Sequence, residues 1–215
     1  MYPFIGRTAL LQRALHHKCS RLLARITAGE TVPVNERRLL FTGPPGVGKT
    51  HLAMELASLL TGQRKAITQI RELPINCEHR NGQNVSIEVL REWAASDCYR
   101  PMMGEIAVKF IDEIDGLATA ALNDIRTYLD NLAGHRVFLA TTNRTVKELQ
   151  PQLQSRFQVI AFEYPTAVEI TDHLQAKYHL DYDVAVKIAA GVGGNVRAAE
   201  ADAVTELDAR LAVAA

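Results

Sequence analysis

Eight residues, Gly43-Pro44-Pro45-Gly46-Val47-Gly48-Lys49-Thr50, constrain this chain more than any other stretch, because they fit the pattern G-x-x-x-x-G-K-[ST]. Glycines at these spacings let the backbone curl until several N–H groups face one centre, and a following helix adds the positive end of its dipole. The motif demands a strand before it and a helix after it. Arg38-Leu39-Leu40-Phe41-Thr42 reads as a short buried strand, and His51 to Leu60 has apolar residues at helical spacing, stopping at Gly62. Motif and context agree on a phosphate-binding loop. Lys49 supplies a mobile cation for β- and γ-phosphates, and Thr50 offers a hydroxyl to magnesium. Pro45, Gly46, Val47, Gly48, Lys49, Thr50 and His51 are the residues expected to contact the ligand.

Around this loop, runs at Glu72–Asn76, Ile106–Ile111, Val137–Thr141 and Phe157–Phe162 read as further strands. Helical patterns at Val85–Ala95, Thr119–Leu132 and Val146–Leu149 fall between them. A first helix, capped by Thr8, carries Leu11, Ala14, Leu15, Leu22, Leu23 and Ile26 at helical spacing and ends at Gly29; its Lys18, Arg21 and Arg25 share one face that reads as solvated. Past Pro165 the strands vanish, leaving helices over Thr166–Tyr178, Asp181–Ala190 and Asn195–Ala212. The alternation predicts an α/β domain over 1–163, a parallel five-stranded sheet sandwiched by helices, followed by a small three-helix lid domain over 164–215.

The third strand delivers Asp112-Glu113 at its C-terminal end, the edge where open parallel sheets bind ligands. Asp112 is expected to hold magnesium, and Glu113, one residue on, to polarise an attacking water as general base. Asp115 reads as a helix-start residue. The next strand runs into Thr142-Asn143, and the Asn143 amide at its tip is placed to bond a γ-phosphate and that water. Arg156, in Ser155-Arg156-Phe157, reaches outward from the domain toward a neighbouring subunit's γ-phosphate. Arg197, in Gly194-Asn195-Val196-Arg197, opens a helix from which it touches the phosphates of its own subunit.

Composition narrows the classes. Among 215 residues, 24 basic side chains balance 24 acidic ones, which gives no bulk argument for nucleic-acid binding. No apolar run approaches the roughly 20 residues of a membrane span, and MYPFIGRTALLQR lacks the layout of a signal peptide, so a cytoplasmic or nucleoid location is expected. Cys19, Cys77 and Cys98 are scattered, which argues against a disulfide framework or zinc site and for small buried hydrophobes.

Taken in order and spacing, GPPGVGKT, VKFIDEID, TTN and GNVR resemble the Walker A, Walker B, sensor 1 and sensor 2 motifs of an AAA+ P-loop ATPase. Within that superfamily the chain is most similar to the small subunits of replication factor C, the clamp loaders. Tyr2-Pro3-Phe4-Ile5-Gly6-Arg7 resembles the family's N-terminal box, which implies adenine contacts from Ile5 and Gly6; GNVR adds Val196 and Arg197 to the nucleotide set. LPINCEHRNG resembles the segment whose asparagine, here Asn76, restrains the catalytic glutamate, and LQPQLQSRFQVIAF the segment of the arginine finger. The resemblance implies ATP and Mg2+ as ligands, and homo- or hetero-oligomers with shared ATP sites. It also implies primed or double-stranded DNA, a sliding clamp, a helicase or another replication protein as partners. Three departures stand out: Phe157 where the finger motif has cysteine, no collar after the lid, and Arg126 as the one basic residue of Thr119–Arg126 for DNA tracking. A helicase loader or transposition regulator is the alternative reading. A polypeptide-threading remodeller fits less well, because Glu78–Gly82 has no aromatic residue, and a non-enzymatic scaffold conflicts with Glu113 and Lys49.

Overall fold

A computed structural model describes residues 17–62, 70–101 and 104–214. These divide into two compact units, one of residues 17–43 with 49–161 and one of residues 44–48 with 162–214. In chain order the larger unit contains α1 (His17–Thr27), β1 (Arg38–Thr42), α2 (Lys49–Leu60), β2 (Cys77–Asn81), α3 (Ile87–Ser96), β3 (Ala107–Asp112), α4 (Thr119–Asp130), β4 (Arg136–Thr142), a short α5 (Pro151–Gln154) and β5 (Gln158–Ala161). Thr8, Leu11, Ala14 and Leu15, expected in the first helix, lie outside the described residues.

The five strands form one parallel sheet in the order β2-β3-β4-β1-β5. Every residue of β1 and β4 is buried, as inner strands covered on both faces must be. Side chains alternate across the sheet. Leu40, Ile111, Phe138 and Ala140 pack on one face against Leu90 and Trp93 of α3 and Ile125 and Leu129 of α4. The opposite face receives α2, which α1 covers in turn. Burying each such Leu or Phe contributes about 1.5–3 kcal/mol. Phe157, standing where the finger motif has cysteine, is buried in the α3–α4 core with its ring 5.9 Å from that of Phe138.

One strand is displaced from its expected place. Glu72–Asn76 is not a strand: Ile70–Glu72 is a turn of 3-10 helix, Ile75 is exposed, and β2 starts five residues later, at Cys77. The polar run CEHRN succeeds as a strand because β2 lies at the sheet edge, paired with β3 alone, and needs no apolar faces. Glu78 also gains from its position, since its carboxylate accepts from the buried ammonium of Lys109 on β3. The short helix expected near Val146–Leu149 is a 3-10 helix over Val146–Glu148.

The second unit has α6 (Ala167–Tyr178), α7 (Tyr182–Gly191) and α8 (Val196–Ala214) around Ile170, Leu174, Leu180, Ala185, Ala189, Ala199 and Ala203. Thr166 and Glu169 start α6 with a reciprocal cap. The Thr166 hydroxyl accepts from the Glu169 N–H at 3.3 Å, and the Glu169 carboxylate accepts from the Thr166 N–H at 2.9 Å.

Candidate active site

The C-terminal ends of β1, β2, β3 and β4 lie side by side on one edge of the sheet, and each hands over a polar residue there. After β1 the chain passes through residues 43–48 into α2. Gly43, Gly46 and Gly48 have φ values of 137°, 79° and 94°, where a side chain would be strained. Gly46 is also crowded within its own unit: a Cβ there would stand 2.1 Å from Asn195 Oδ1. That Oδ1 caps α8 by accepting from the Ala198 N–H at 3.1 Å, and the Arg197 N–H donates to the Gly46 carbonyl at 3.2 Å. The Arg197 side chain is exposed, Val196 is the first residue of α8, and His51 is half-buried in the first turn of α2. Ile5 and Gly6 lie outside the described residues.

Lys49 is buried, and its ammonium donates to the Gly43 carbonyl at 2.8 Å and to Asn143 Oδ1 at 2.9 Å. An anionic phosphate oxygen is a stronger partner for a buried ammonium than either of these two neutral oxygens. The Thr50 hydroxyl donates to Asp112 Oδ1 at 2.9 Å. A hydroxyl and a carboxylate side by side form the hard-oxygen pair that suits magnesium. The residues present therefore fit a triphosphate and its metal.

Glu113 adopts the left-handed conformation, φ 56° and ψ 57°, uncommon for a non-glycine residue and costing about 1–2 kcal/mol. Its carboxylate accepts from two amides, Asn81 Nδ2 at 3.2 Å and Asn143 Nδ2 at 3.5 Å. Asn143 thus connects Lys49 to Glu113. The asparagine expected to restrain the glutamate moves with the strand: Asn76 precedes β2 at the far end of the sheet, where its carbonyl accepts from the Val108 N–H, and Asn81 is the residue that touches Glu113. The visible signal was the pair Asn81-Gly82 closing the polar run. Gly82 matters for space, since a Cβ on it would lie 2.1 Å from the Glu113 carbonyl oxygen. Asp115 sits in the 3-10 turn Ile114–Gly116 and accepts from the Thr142 hydroxyl at 2.6 Å, joining this turn to the tip of β4.

Arg156 does not gather with these residues. Its Nε and Nη2 donate to Asp130 at 3.0 and 2.7 Å, and this bonding, which outweighs the opposing effect of burial, holds the Asp130 carboxyl below its usual range. The buried Arg38 adds a longer contact to the same acid at 3.4 Å. Arg126 donates to Asn123 and Gln150 at 3.0 and 3.3 Å. On α1, Lys18 donates to the Val159 carbonyl and Arg25 pairs with Glu30 and Glu36, while Arg21 is exposed as a solvated face requires. The cysteines also divide. Burial pushes the Cys19 and Cys77 thiols up to about 12, whereas Cys98 is exposed, contrary to the expectation of a buried residue.

A parallel sheet with a glycine loop after β1, an Asp-Glu pair after β3 and an amide after β4 defines a nucleoside-triphosphatase architecture. Residues 39–164 match the ATPase family associated with various cellular activities (AAA), and the chain belongs to that family. Within it, the chain is 32% identical over 153 residues to the replication factor C small subunit of Methanocella arvoryzae, covering 70% of this chain and 44% of that one. It is 36% identical over 153 residues to the small subunit of Methanoregula boonei, covering 68% and 45%. The chain thus spans less than half the length of these relatives. Among solved structures, a RuvB variant from Thermotoga maritima superposes with a TM-score of 0.73 over 95% of this chain and 64% of that one, at 24% identity, a likeness of fold. No helix among the described residues is long and apolar enough to cross a membrane.

Proposed function

We propose that this chain is a magnesium-dependent ATPase acting as a clamp-loader-like subunit in DNA replication, with an ATPase domain over 1–163 and a lid over 164–215. The observation that carries the reading is the single edge at which Lys49, Thr50, Asp112, Glu113 and Asn143 meet through direct hydrogen bonds. The likeness to replication factor C small subunits supplies the setting.

In this reading the N–H groups of residues 45–51 and the Lys49 ammonium take the phosphates. Thr50 and Asp112 hold magnesium, which when bound neutralises phosphate charge and fixes its orientation. Glu113 accepts a proton from the attacking water, and Asn143 orients that water while keeping Lys49 in register with Glu113. Asn81 holds the glutamate between turnovers. Arg197, which shares a unit with residues 44–48, reads the phosphates from the lid. Arg156 serves a neighbouring subunit's site, where fingers of this kind are worth about 10³–10⁵ in rate. To do so it must leave Asp130, so assembly and hydrolysis become linked.

Steady-state phosphate release, measured at low salt with and without primer–template DNA, tests the proposal. Phosphate contacts are strongest at low salt. Activity that depends on magnesium and rises severalfold with DNA is the expected result. Activity that no DNA stimulates would remove the replication role and leave the ATPase. No activity under any condition would remove both.

A further inference from the structure

We propose that Thr141 is a positioning residue that ties Asp112 and Glu113 together, holding the glutamate's backbone in the conformation that presents its carboxylate to Asn143. This rests on the ATPase reading above for its kinetic consequence, though not for its geometry. Thr141 is 1% exposed, on β4 immediately beside the end of β3. Its one hydroxyl group contacts both acidic residues. It donates its proton to Asp112 Oδ1, and its oxygen accepts the Glu113 backbone N–H at 2.9 Å.

The need for such a tie follows from Glu113 itself. A left-handed glutamate persists only where its surroundings over-determine it. Three contacts do so here. Thr141 takes the N–H, the Gly116 N–H donates to the Glu113 carbonyl at 2.8 Å, and Gly82 leaves space for that carbonyl. Removing the hydroxyl would leave the Glu113 N–H without this acceptor next to a buried strand, and the turn would relax toward ordinary backbone angles. The carboxylate would then lose its alignment with Asn81 and Asn143.

The other end of the tie concerns Asp112. Its Oδ1 accepts from both Thr50 and Thr141. A bound metal would draw the Thr50 hydroxyl to itself. The Thr141 hydroxyl, on the neighbouring strand, stays with the carboxylate and keeps it from rotating. Threonine and serine supply the donor and the acceptor from a single oxygen on a short side chain.

Three proteins decide the matter: wild type, T141V and T141S. Valine keeps the shape and suits a buried strand, so T141V should fold, and melting curves check this. If it does not fold, T141A makes the same comparison. In nucleotide-free protein, deuterium uptake of a peptide spanning residues 112–116 should be about tenfold faster at the Glu113 amide in T141V, the loss of one hydrogen bond, and near wild type in T141S. Steady-state kinetics should show kcat lowered about tenfold or more in T141V with KM for ATP nearly unchanged, and T141S should restore it. Wild-type exchange and kcat in T141V would overturn the proposal. So would equal defects in T141V and T141S, which would point to the packing of the side chain and not its hydroxyl. An inactive wild type would sink the ATPase reading alone, and the exchange comparison would still decide whether Thr141 holds the turn.

Discussion

A buried threonine, two asparagines and an unusual glutamate backbone show how much of the site depends on single atoms. Asn81 and Asn143 donate to different oxygens of the Glu113 carboxylate, so Glu113→Gln keeps an acceptor for one of the two amides and removes the proton acceptor. The variant should bind ATP with wild-type affinity and lose about 10²–10⁴ in turnover, measurable by filter binding beside phosphate release. Gly82→Ala makes a different test. Its methyl group would be driven into the Glu113 carbonyl and toward Ile114 Cα, backbone atoms that cannot swing aside. A loss of about 1–3 kcal/mol in urea unfolding is expected, together with impaired hydrolysis. The residues of the phosphate loop, Asp112, Glu113 and Asn143 were legible in the sequence because strand-loop-helix context and local spacing define them. Thr141 was not, and Asn81 and Gly82 left only the pair that closes a polar run. Their roles arise from pairing between β2, β3 and β4, and lateral pairing leaves no local pattern in a single chain.

At the level of elements, the alternation of strands and helices predicted the sheet correctly and misplaced only β2. Leu73-Pro74-Ile75 offered apolar residues and CEHRN did not, yet an edge strand is paid for by backbone hydrogen bonds on one side and needs little apolar surface. The C-terminal helices were more legible, since caps are local. Thr166→Ala should remove the reciprocal cap of α6 and lower stability by about 1 kcal/mol in denaturant titration. Glu200 ties α8 to α6 by accepting from His173 at 2.7 Å and Lys177 at 2.6 Å. Burial alone would raise the Glu200 pKa, but bonds from His173 and Lys177 outweigh it and bring it from 4.5 to about 2. A depressed folded-state value means that the stabilisation is complete above pH 4.5 and is lost as pH falls toward about 2. The melting temperature of wild type should therefore drop more steeply through that window than that of Glu200→Gln. Parallel slopes would show that the pair contributes nothing to the acid response.

For the molecule as a whole, the account makes one chain an incomplete enzyme. Arg156 is engaged with Asp130 of its own subunit, and in the proposed assembly it turns to a neighbour's nucleotide. Arg156→Ala should bind ATP normally and hydrolyse it poorly. Mixing it with Glu113→Gln should recover part of the activity, because each variant supplies what the other lacks. Recovery in proportion to mixing, read by phosphate release, would establish shared sites; none at any ratio would confine catalysis to one subunit. Beneath that lies the claim on which everything else depends, that backbone amides and Lys49 hold a triphosphate facing Asp112 and Glu113. Calorimetric titration of folded protein with ATP and magnesium, run beside Lys49→Ala, tests it most directly. The account predicts saturable binding by wild type that weakens at least about tenfold, or roughly 1.4 kcal/mol, in the variant. Folded wild-type protein that takes up no ATP in the presence of magnesium would contradict it.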